Sequence, residues 1–233
     1  GCAAETVNYD TSGTTITYQP NPDYAGPDSF TYSATNSGGT SSAALVSITV
    51  QDPVVTIIAA GSLNTSVATP YSQTFTFNGG AQPWSGYQVT NLPAGLSITG
   101  TTANSVTVSG TATAAGAFNL NVSATDSSSG NGPFNVGQVF TLNVAGPGLA
   151  LVPGAGTLNA PYATAFSQTF TASGGTGPYS YALTGALPAG LSFSGSTLSG
   201  TPTAPGSYPV TVTATDTGST GAGAPFTVAQ NYT

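Results

Sequence analysis

Apolar and polar residues alternate with a period of two along much of this chain. Between residues 118 and 125 the apolar positions are Phe118, Leu120, Val122 and Ala124, and polar residues separate them. Successive side chains of a strand point to opposite faces, so this alternation predicts a β-strand in a sheet that is covered on one side. Residues 140–144 repeat the pattern.

Turn residues separate several such stretches between residues 53 and 146. The turn signals are Gly79-Gly80, Pro93-Ala-Gly95, Ala114-Ala-Gly116 and Ser129-Gly-Asn-Gly132. Short strands with turns at this spacing are typical of a β-sandwich. The predicted strands are Val54–Ile58, Gln73–Phe77, Gly86–Thr90, Ser105–Ser109, Phe118–Thr125 and Gln138–Val144.

One stretch of the chain occurs twice, as Leu92-Pro-Ala-Gly-Leu-Ser97 and Leu187-Pro-Ala-Gly-Leu-Ser192, an offset of 95 residues. Proline presets the turn, glycine supplies a conformation that other residues avoid, and the two leucines are expected to enter the core. A fixed period with turn residues in register indicates two copies of one folded module. The same offset relates Tyr71-Ser-Gln-Thr-Phe75 to Phe166-Ser-Gln-Thr-Phe170, and Gly79-Gly80 to Gly174-Gly175.

These repeats divide the chain into three predicted units. The first unit is residues 1–52, the second is 53–146 and the third is 147–233, with Asp52-Pro53 as the predicted linker. Phe140-Thr141 of the second unit aligns with Tyr232-Thr233, and the second unit then continues as Leu142-Asn-Val144. The closing strand of the third unit is therefore expected to be incomplete.

The first unit is expected to be a partial β unit, built from similar short strands and turns. Residues 21–28 are dense in turn residues, Asn36-Ser-Gly-Gly39 is a predicted hairpin turn, and the opening strands are expected to be missing. Its predicted strands are Thr15–Gln19, Ser29–Ser33 and Ala43–Val50.

The residues of two regions resemble known families. Residues 18–32 resemble the back half of a bacterial cadherin-like tandem repeat, through Tyr18-Gln-Pro-Asn-Pro-Asp-Tyr-Ala-Gly-Pro-Asp-Ser-Phe-Thr-Tyr32. Residues 53–233 resemble the He-PIG type of bacterial immunoglobulin-like (Ig-like) domain, through the Leu-Pro-Ala-Gly-Leu-Ser stretch, the Ser-Gly-Thr at 109–111 and 199–201, and the Ala-Thr-Asp strand ends. The resemblance implies Ig-like sandwiches of multidomain extracellular proteins, without a family catalytic site.

The fold class predicted from pattern, repeat and resemblance together is all-β, with tandem immunoglobulin-like β-sandwiches arranged as an elongated array. Apolar residues make up 39% of the chain, which is enough for small cores and argues against disorder.

Charge and reactive side chains restrict the function. The chain has no Lys, Arg or His and seven acids, for a net charge of −7. Without cations, nucleic acid and anionic membranes are not expected partners, and no apolar run is long enough to insert into a membrane. The usual catalytic bases are missing, so we expect no enzyme, no catalytic residue and no cofactor. Cys2 has no partner for an internal disulfide, which leaves a free thiol or a bond to another chain.

Two aspartates are candidate metal ligands. Asp126 and Asp216 each end a predicted strand just before a Ser/Gly loop, so calcium at the junctions between units is one hypothesis. The alternative is that each side chain caps the amides of its own loop. Calcium sites cluster several acids, and each unit offers one acid near that end.

Two aromatic residues are candidate ligand contacts. Trp84 and Tyr179 occupy equivalent places after a Gly-Gly pair. Exposed beside Tyr87 or Tyr181, they would form a platform on which sugar rings stack. The alternative is that they fill the inter-sheet core, which is the commoner fate of one large aromatic residue per sandwich.

The predicted function is that of a structural segment, a stalk, fibre or filament subunit of an extracellular bacterial surface protein. The incomplete ends reflect either truncation of a longer array or completion by another chain through strand addition, since no lysine guards an open sheet edge. Expected partners are neighbouring Ig-like domains or copies of the chain. The alternative function is an adhesive or carbohydrate-binding module, whose partner would be a surface glycan or protein.

Overall fold

The structure is a computed structural model that describes residues 15–233, together with the backbone of residues 4–9. These residues form β-strands, turns and loops, and none of them is helical. The predicted all-β class with Ig-like sandwiches is confirmed. No helix that could cross a membrane occurs in this part of the chain. Cys2 lies outside the described residues.

The second unit forms two facing sheets. Its strands, numbered along the whole chain, are β7 (Thr56–Ala59), β8 (Asn64–Ser66), β9 (Pro70–Asn78), β10 (Ser85–Thr90), β11 (Leu96–Thr101), β12 (Ser105–Thr111), β13 (Ala114–Thr125), β14 (Ser129–Gly130) and β15 (Asn135–Ala145). One sheet has the strand order β11-β12-β9-β7, and the other has the order β10-β13-β15-β8.

The core of the second unit lies between these sheets and uses the alternation seen in the sequence. Leu120, Val122 and Ala124 of β13 face the core and are fully or almost fully buried, as are Phe75 and Phe77 of β9. Large apolar side chains buried in this way stabilise the sandwich by about 1.5–3 kcal/mol each. The other core residues include Val106, Val108, Leu142, Val144 and Trp84.

The third unit has a separate core built on the same plan. Its large buried residues are Leu151, Phe170, Leu198, Val210, Val212 and Tyr232. Its strands are β16 (Ala150–Val152), β17 (Phe166–Thr169), β18 (Thr171–Ser173), β19 (Tyr179–Gly185), β20 (Leu191–Ser194), β21 (Thr197–Gly200), β22 (Val210–Asp216), β23 (Thr220–Gly221) and β24 (Phe226–Tyr232). Its sheets have the orders β16-β18, β17-β21-β20 and β19-β22-β24.

Among its described residues, 15–52, the first unit has fewer buried hydrophobic side chains than the other two units have. Tyr18 and Phe30 stack with ring centroids 6.4 Å apart, and Tyr32 is exposed. Its strands are β1 (Ala4–Tyr9), β2 (Ile16–Pro20), β3 (Tyr24–Tyr32), β4 (Thr35–Asn36), β5 (Gly39–Thr40) and β6 (Ala44–Val50). β3 pairs with β6, whereas β1 and β2 form a two-stranded sheet of their own.

Several strands differ from the predictions because glycine and proline do not always mark turns. Residues 24–28 were expected in a turn but belong to β3, and Ala114-Ala-Gly116 begins β13. Gly26 and Gly116 have φ values of 132° and 144°, so each continues an extended strand in a conformation that favours glycine. In the first unit β1 precedes β2, and the expectation that opening strands of the module are missing stays a prediction.

Two very short strands join the predicted units to one another. β14 of the second unit pairs in parallel with β3 of the first, and β23 of the third pairs in parallel with β13 of the second. Hydrogen bonds between backbones therefore cross both predicted boundaries. The bounds 1–52, 53–146 and 147–233 themselves stay a prediction.

Candidate functional site

The repeated Leu-Pro-Ala-Gly-Leu-Ser stretch forms a tight turn in both copies. Gly95 has a φ of 90°, and a Cβ there would lie 2.0 Å from the Thr111 carbonyl oxygen. The Thr113 N–H donates to the Ala94 carbonyl at 2.9 Å, just before β13 begins. Gly190 has the same conformation and the same close approach to Thr201. The turn thus positions the segment that begins at Thr113.

The Asp126 side chain is buried and fixes the loop that follows it. Its carboxylate accepts hydrogen bonds from the N–H groups of Phe134 (2.8 Å), Ser128 (3.1 Å) and Ala81 (3.3 Å). The Ser128 hydroxyl also donates to it. The carboxylate therefore joins both ends of its own loop to the Gly79-Gly80 turn region.

Asp216 does the same in the third unit. The N–H groups of Gly218 (3.1 Å), Thr176 (3.2 Å) and Ser219 (3.3 Å) donate to its carboxylate, as does the Ser219 hydroxyl. In a chain without cations, these dipolar donors compensate the buried negative charge.

The pKa values of both aspartates reflect this balance. Burial by itself raises the pKa of each carboxyl, because it disfavours the charged form. The hydrogen bonds from serine hydroxyls and backbone N–H groups outweigh burial and leave the pKa of Asp126 and of Asp216 below the ordinary value. Both side chains are therefore carboxylates at neutral pH.

The structure places Asp126 and Asp216 in separate loops, each among donors that bind carboxylate oxygens. Among residues 15–233, no three acidic, histidine or cysteine side chains group closely enough to hold a metal ion. Calcium at these aspartates stays a prediction, and each carboxylate caps N–H groups of its own loop.

The candidate aromatic residues differ in their surroundings. Trp84 is 3% exposed and packs on Phe77, with ring centroids 5.1 Å apart. Its indole N–H is buried and finds no acceptor among the described residues. Tyr87 contacts the same phenylalanine ring and donates its hydroxyl to the Thr102 carbonyl.

Tyr179 and Tyr181 are half-buried in the third unit. The Tyr179 hydroxyl donates to the Gly174 carbonyl, and the Tyr181 hydroxyl accepts from the Ala172 N–H at 2.8 Å. Each hydroxyl is thereby tied to the backbone of its own unit.

The loop after Asp126 contacts the first unit through backbone hydrogen bonds. The Ser129 N–H donates to the Asp23 carbonyl and the Asn131 N–H to the Ala25 carbonyl, both at 2.8 Å. Between them, Gly130 has a φ of 80°, and a Cβ there would lie 2.1 Å from the Ala25 oxygen. Only glycine fits this close approach.

The loop after Asp216 contacts the second unit in the same way. The Thr220 N–H donates to the Thr113 carbonyl at 3.0 Å, and the Ala222 N–H donates to the Ala115 carbonyl at 2.9 Å. Gly221 has a φ of 94°, and a Cβ there would lie 2.1 Å from the Ala115 oxygen. We call these two contacts the junctions.

Sequence reasoning missed the junctions, although a signal for them was present. The accepting segments share a small residue before a glycine, as Ala25-Gly26 and Ala115-Gly116, and the donating loops share a central glycine. The corresponding residues of the third unit, Pro205 and Gly206, are exposed, whereas Ala25, Gly26 and Ala115 are buried.

Beside Pro205 the third unit has a cavity of about 390 Å³. Partly buried apolar side chains that pack against its core line this cavity, among them Leu158, Phe166 and Leu191. Tyr162 also lines it and is 65% exposed.

The sheets face each other across a core of alternate strand residues, and capped loops connect the strands. This arrangement defines a set of Ig-like β-sandwich repeats. Comparison with protein families gives the same class. Residues 150–231 match the family named "Putative Ig domain", and residues 2–49 match the family named "Bacterial Ig domain". The chain therefore contains bacterial Ig-like domain repeats, and the resemblance seen in its sequence is confirmed at that level. Bacterial Ig domains are usually extracellular.

The solved structures that are similar to this chain include the following three. The fibronectin(III)-like modules of Clostridium thermocellum CbhA are 18% identical over 77% of this chain and 93% of that one, with a TM-score of 0.29. A fragment of intimin bound to the intimin-binding domain of Tir is 18% identical over 76% and 63%, with a TM-score of 0.26. Mouse protocadherin-24 EC1-3 is 11% identical over 97% and 86%, with a TM-score of 0.27. With TM-scores below 0.5, these likenesses carry no argument about this chain. No curated protein matches the chain.

Proposed function

We propose that this chain is a structural segment of an extracellular bacterial surface protein, in which Ig-like units are held in series as a stalk, fibre or filament subunit. The observation that carries the proposal is the pair of junctions. Each uses two backbone hydrogen bonds and one glycine held against a carbonyl of the preceding unit. A contact repeated between successive units suits a load-bearing array, because it fixes each unit against its neighbour.

The chemistry of the chain supports the same role. The two buried acids are engaged by donors of their own loops, and the candidate aromatic residues are buried or tied to backbone atoms. The alternative of a glycan-binding module requires an exposed aromatic pair at Trp84 and Tyr179, and Trp84 is in the core. The structural role therefore accounts for more of these side-chain environments than the glycan-binding role does.

Small-angle X-ray scattering of the whole chain tests the mechanical part of the proposal. We expect scattering from three units at fixed spacings, and a profile that requires freely hinged units would overturn it. Antibody labelling of intact and permeabilised cells that make the protein tests its location. Labelling that appears only after permeabilisation would contradict an extracellular role.

A further inference from the structure

Two Asn-Gly pairs occur in the sequence, Asn78-Gly79 and Asn131-Gly132. An asparagine before glycine is prone to react with its own backbone, because glycine has no side chain to shield its nitrogen. The two pairs lie in different surroundings. Asn78 ends β9, whereas Asn131 lies in the loop that contacts the first unit. We call the contact of that loop with the first unit the first junction, and the corresponding contact of residues 220–222 with the second unit the second junction.

The reaction at such a pair is an intramolecular acyl transfer. The backbone nitrogen of the glycine attacks the side-chain Cγ of the asparagine, a C–N bond forms, and the Cγ–Nδ2 bond breaks. The glycine nitrogen gives up its proton and the side-chain nitrogen leaves as ammonia, so a five-membered imide remains. Water then opens the imide at either carbonyl. One product is aspartate, and the other is isoaspartate, in which the backbone runs through the side chain and is one methylene longer.

Strand pairing restrains Asn78. This residue lies opposite Thr56 in the antiparallel ladder of β7 and β9. Closing the imide ring requires rotation about the Cα–C bond of the asparagine, and a residue held in a ladder rotates there only after local opening. Gly79 is also confined, since it has a φ of 84° and a Cβ there would lie 2.1 Å from the Val54 carbonyl oxygen. The folded protein therefore protects Asn78.

Asn131 lacks these restraints on its carbonyl side. Its N–H donates to the Ala25 carbonyl, but its own carbonyl accepts no hydrogen bond within residues 15–233. In the parallel register of β14 and β3, the donor to that carbonyl would be Pro27, which has no N–H. The Gly132 N–H is the nucleophile of the reaction, and it too has no acceptor in this part of the chain.

The Asn131 side chain is exposed, and its amide makes no hydrogen bond to a described residue. It lies over the first unit, because a Cβ added at Gly26 would come within 3.1 Å of the amide carbon. A Cβ at Gly132 would lie 2.7 Å from the Ser128 carbonyl oxygen, so the loop excludes the larger residues that slow this reaction. The reactive pair thus lies at the first junction without the restraints that protect Asn78.

We propose that Asn131 is a self-modifying site, whose conversion to isoaspartate opens the first junction with time and leaves the second junction intact. The extra methylene enters a loop whose ends are fixed, since the N–H groups of Ser128 and Phe134 both donate to Asp126. The lengthened segment between these fixed ends moves the Asn131 N–H away from the Ala25 carbonyl. The new carboxylate also replaces a neutral amide beside the carbonyl groups of the first unit.

The second junction cannot undergo this reaction. Ala222 donates its N–H there as Asn131 does at the first junction, and residues 217–230 contain no asparagine. Ageing would therefore change a fixed series of units into one whose first unit swings. The inference goes beyond the structural function proposed above and rests on the same junctions.

Prolonged incubation of the folded chain in mildly alkaline buffer tests this proposal, because base favours attack by the backbone nitrogen. Electron-transfer mass spectrometry of chymotryptic peptides distinguishes isoaspartate from aspartate at each position. We expect isoaspartate to form at Asn131 at least about tenfold faster than at Asn78, where the ladder must first open. In concentrated urea, where the ladder is lost, the two rates should become similar.

The aged chain should show faster amide hydrogen exchange at Ser129 and a hinged first unit in X-ray scattering, while exchange at Thr220 stays slow. Asn131→Gln is the control, because its longer side chain must close a six-membered ring, which forms more slowly. This variant should keep the first junction closed through the same incubation. Equal rates at the two asparagines of the folded chain would overturn the proposal. So would isoaspartate at Asn131 with unchanged exchange at Ser129, or a hinge that opens equally in Asn131→Gln.

This proposal and the structural function fail in different ways. Scattering from the freshly purified chain reports the order of the units before any isoaspartate has formed. Fixed spacings in the fresh chain that persist after prolonged incubation would remove the modification site and retain the structural function.

Discussion

Replacing Asp126 with asparagine tests the claim that one carboxylate organises both a loop and a junction. The amide keeps one acceptor oxygen, for the N–H groups of Ser128 and Phe134, and presents an NH2 group where the carboxylate faced Ala81. One buried N–H is then unsatisfied, at a cost of about 1–3 kcal/mol, and the two remaining bonds each lose about 1 kcal/mol of charge assistance. We expect Asp126→Asn to lower the free energy of unfolding by about 3–5 kcal/mol at pH 7.

The pH dependence of this loss follows from the pKa of the Asp126 carboxyl, which is lower in the folded protein than its ordinary value of 3.8. The stabilisation is complete above the ordinary pKa and is lost as the pH falls through the folded pKa. The parent chain should therefore lose stability below about pH 4, whereas Asp126→Asn should show a shallower slope there. The two chains should converge in acid.

The assay is urea unfolding followed by tryptophan fluorescence, because Trp84 is the single tryptophan and lies in the core of the second unit. Asp52→Asn makes the same charge change at an exposed carboxyl and should shift the midpoint little. Amide hydrogen exchange at Ser129 and Asn131 should accelerate in Asp126→Asn, since their bonds form the junction. A destabilisation below about 1 kcal/mol, or an unchanged acid slope, would refute the reasoning.

Three further predictions follow from local geometry. Gly130→Ala and Gly221→Ala should each open one junction, because the added Cβ would lie 2.1 Å from a carbonyl oxygen of the preceding unit. X-ray scattering of either variant should then show a hinge between two units. The control Gly148→Ala, whose Cβ would meet no atom within 4 Å, should show no hinge. Gly190→Ala should destabilise the third unit by about 1–3 kcal/mol in thermal unfolding. In the control Gly154→Ala, the added Cβ would meet no atom within 4 Å, so a similar loss of stability there would contradict this account. Acrylamide should quench Trp84 weakly until the second unit unfolds, and strong quenching of the native chain would place the indole at the surface.

The strands that form the cores could be predicted from the sequence, because burial on one face leaves a period of two. Leu120, Val122 and Ala124 are buried as their alternation indicates, and Val106 and Val108 behave in the same way. β8, β14 and β23 could not be predicted, since they are short and mostly polar. Their pairing depends on a neighbouring strand or unit, and local sequence does not encode it.

The role of the aspartates shows a different limit of sequence reasoning. An aspartate before a Ser/Gly loop fits both a metal ligand and a capping residue, since both uses need an acceptor near exposed backbone. The choice depends on what surrounds the carboxylate in three dimensions. Around Asp126 the structure brings Ala81, 45 residues away, together with Phe134 from the far end of the loop.

The lack of cationic side chains links the stability of each unit to the fixed arrangement of successive units. With no Lys, Arg or His, a buried carboxylate in this chain must be compensated by N–H and O–H groups. The backbone around Asp126 supplies them by closing the loop, which aims the N–H groups of Ser129 and Asn131 at the first unit. Asp216 repeats this in the third unit. Protonating these carboxylates should therefore loosen the junctions together with the loops, so acid should make the array flexible before it unfolds the cores.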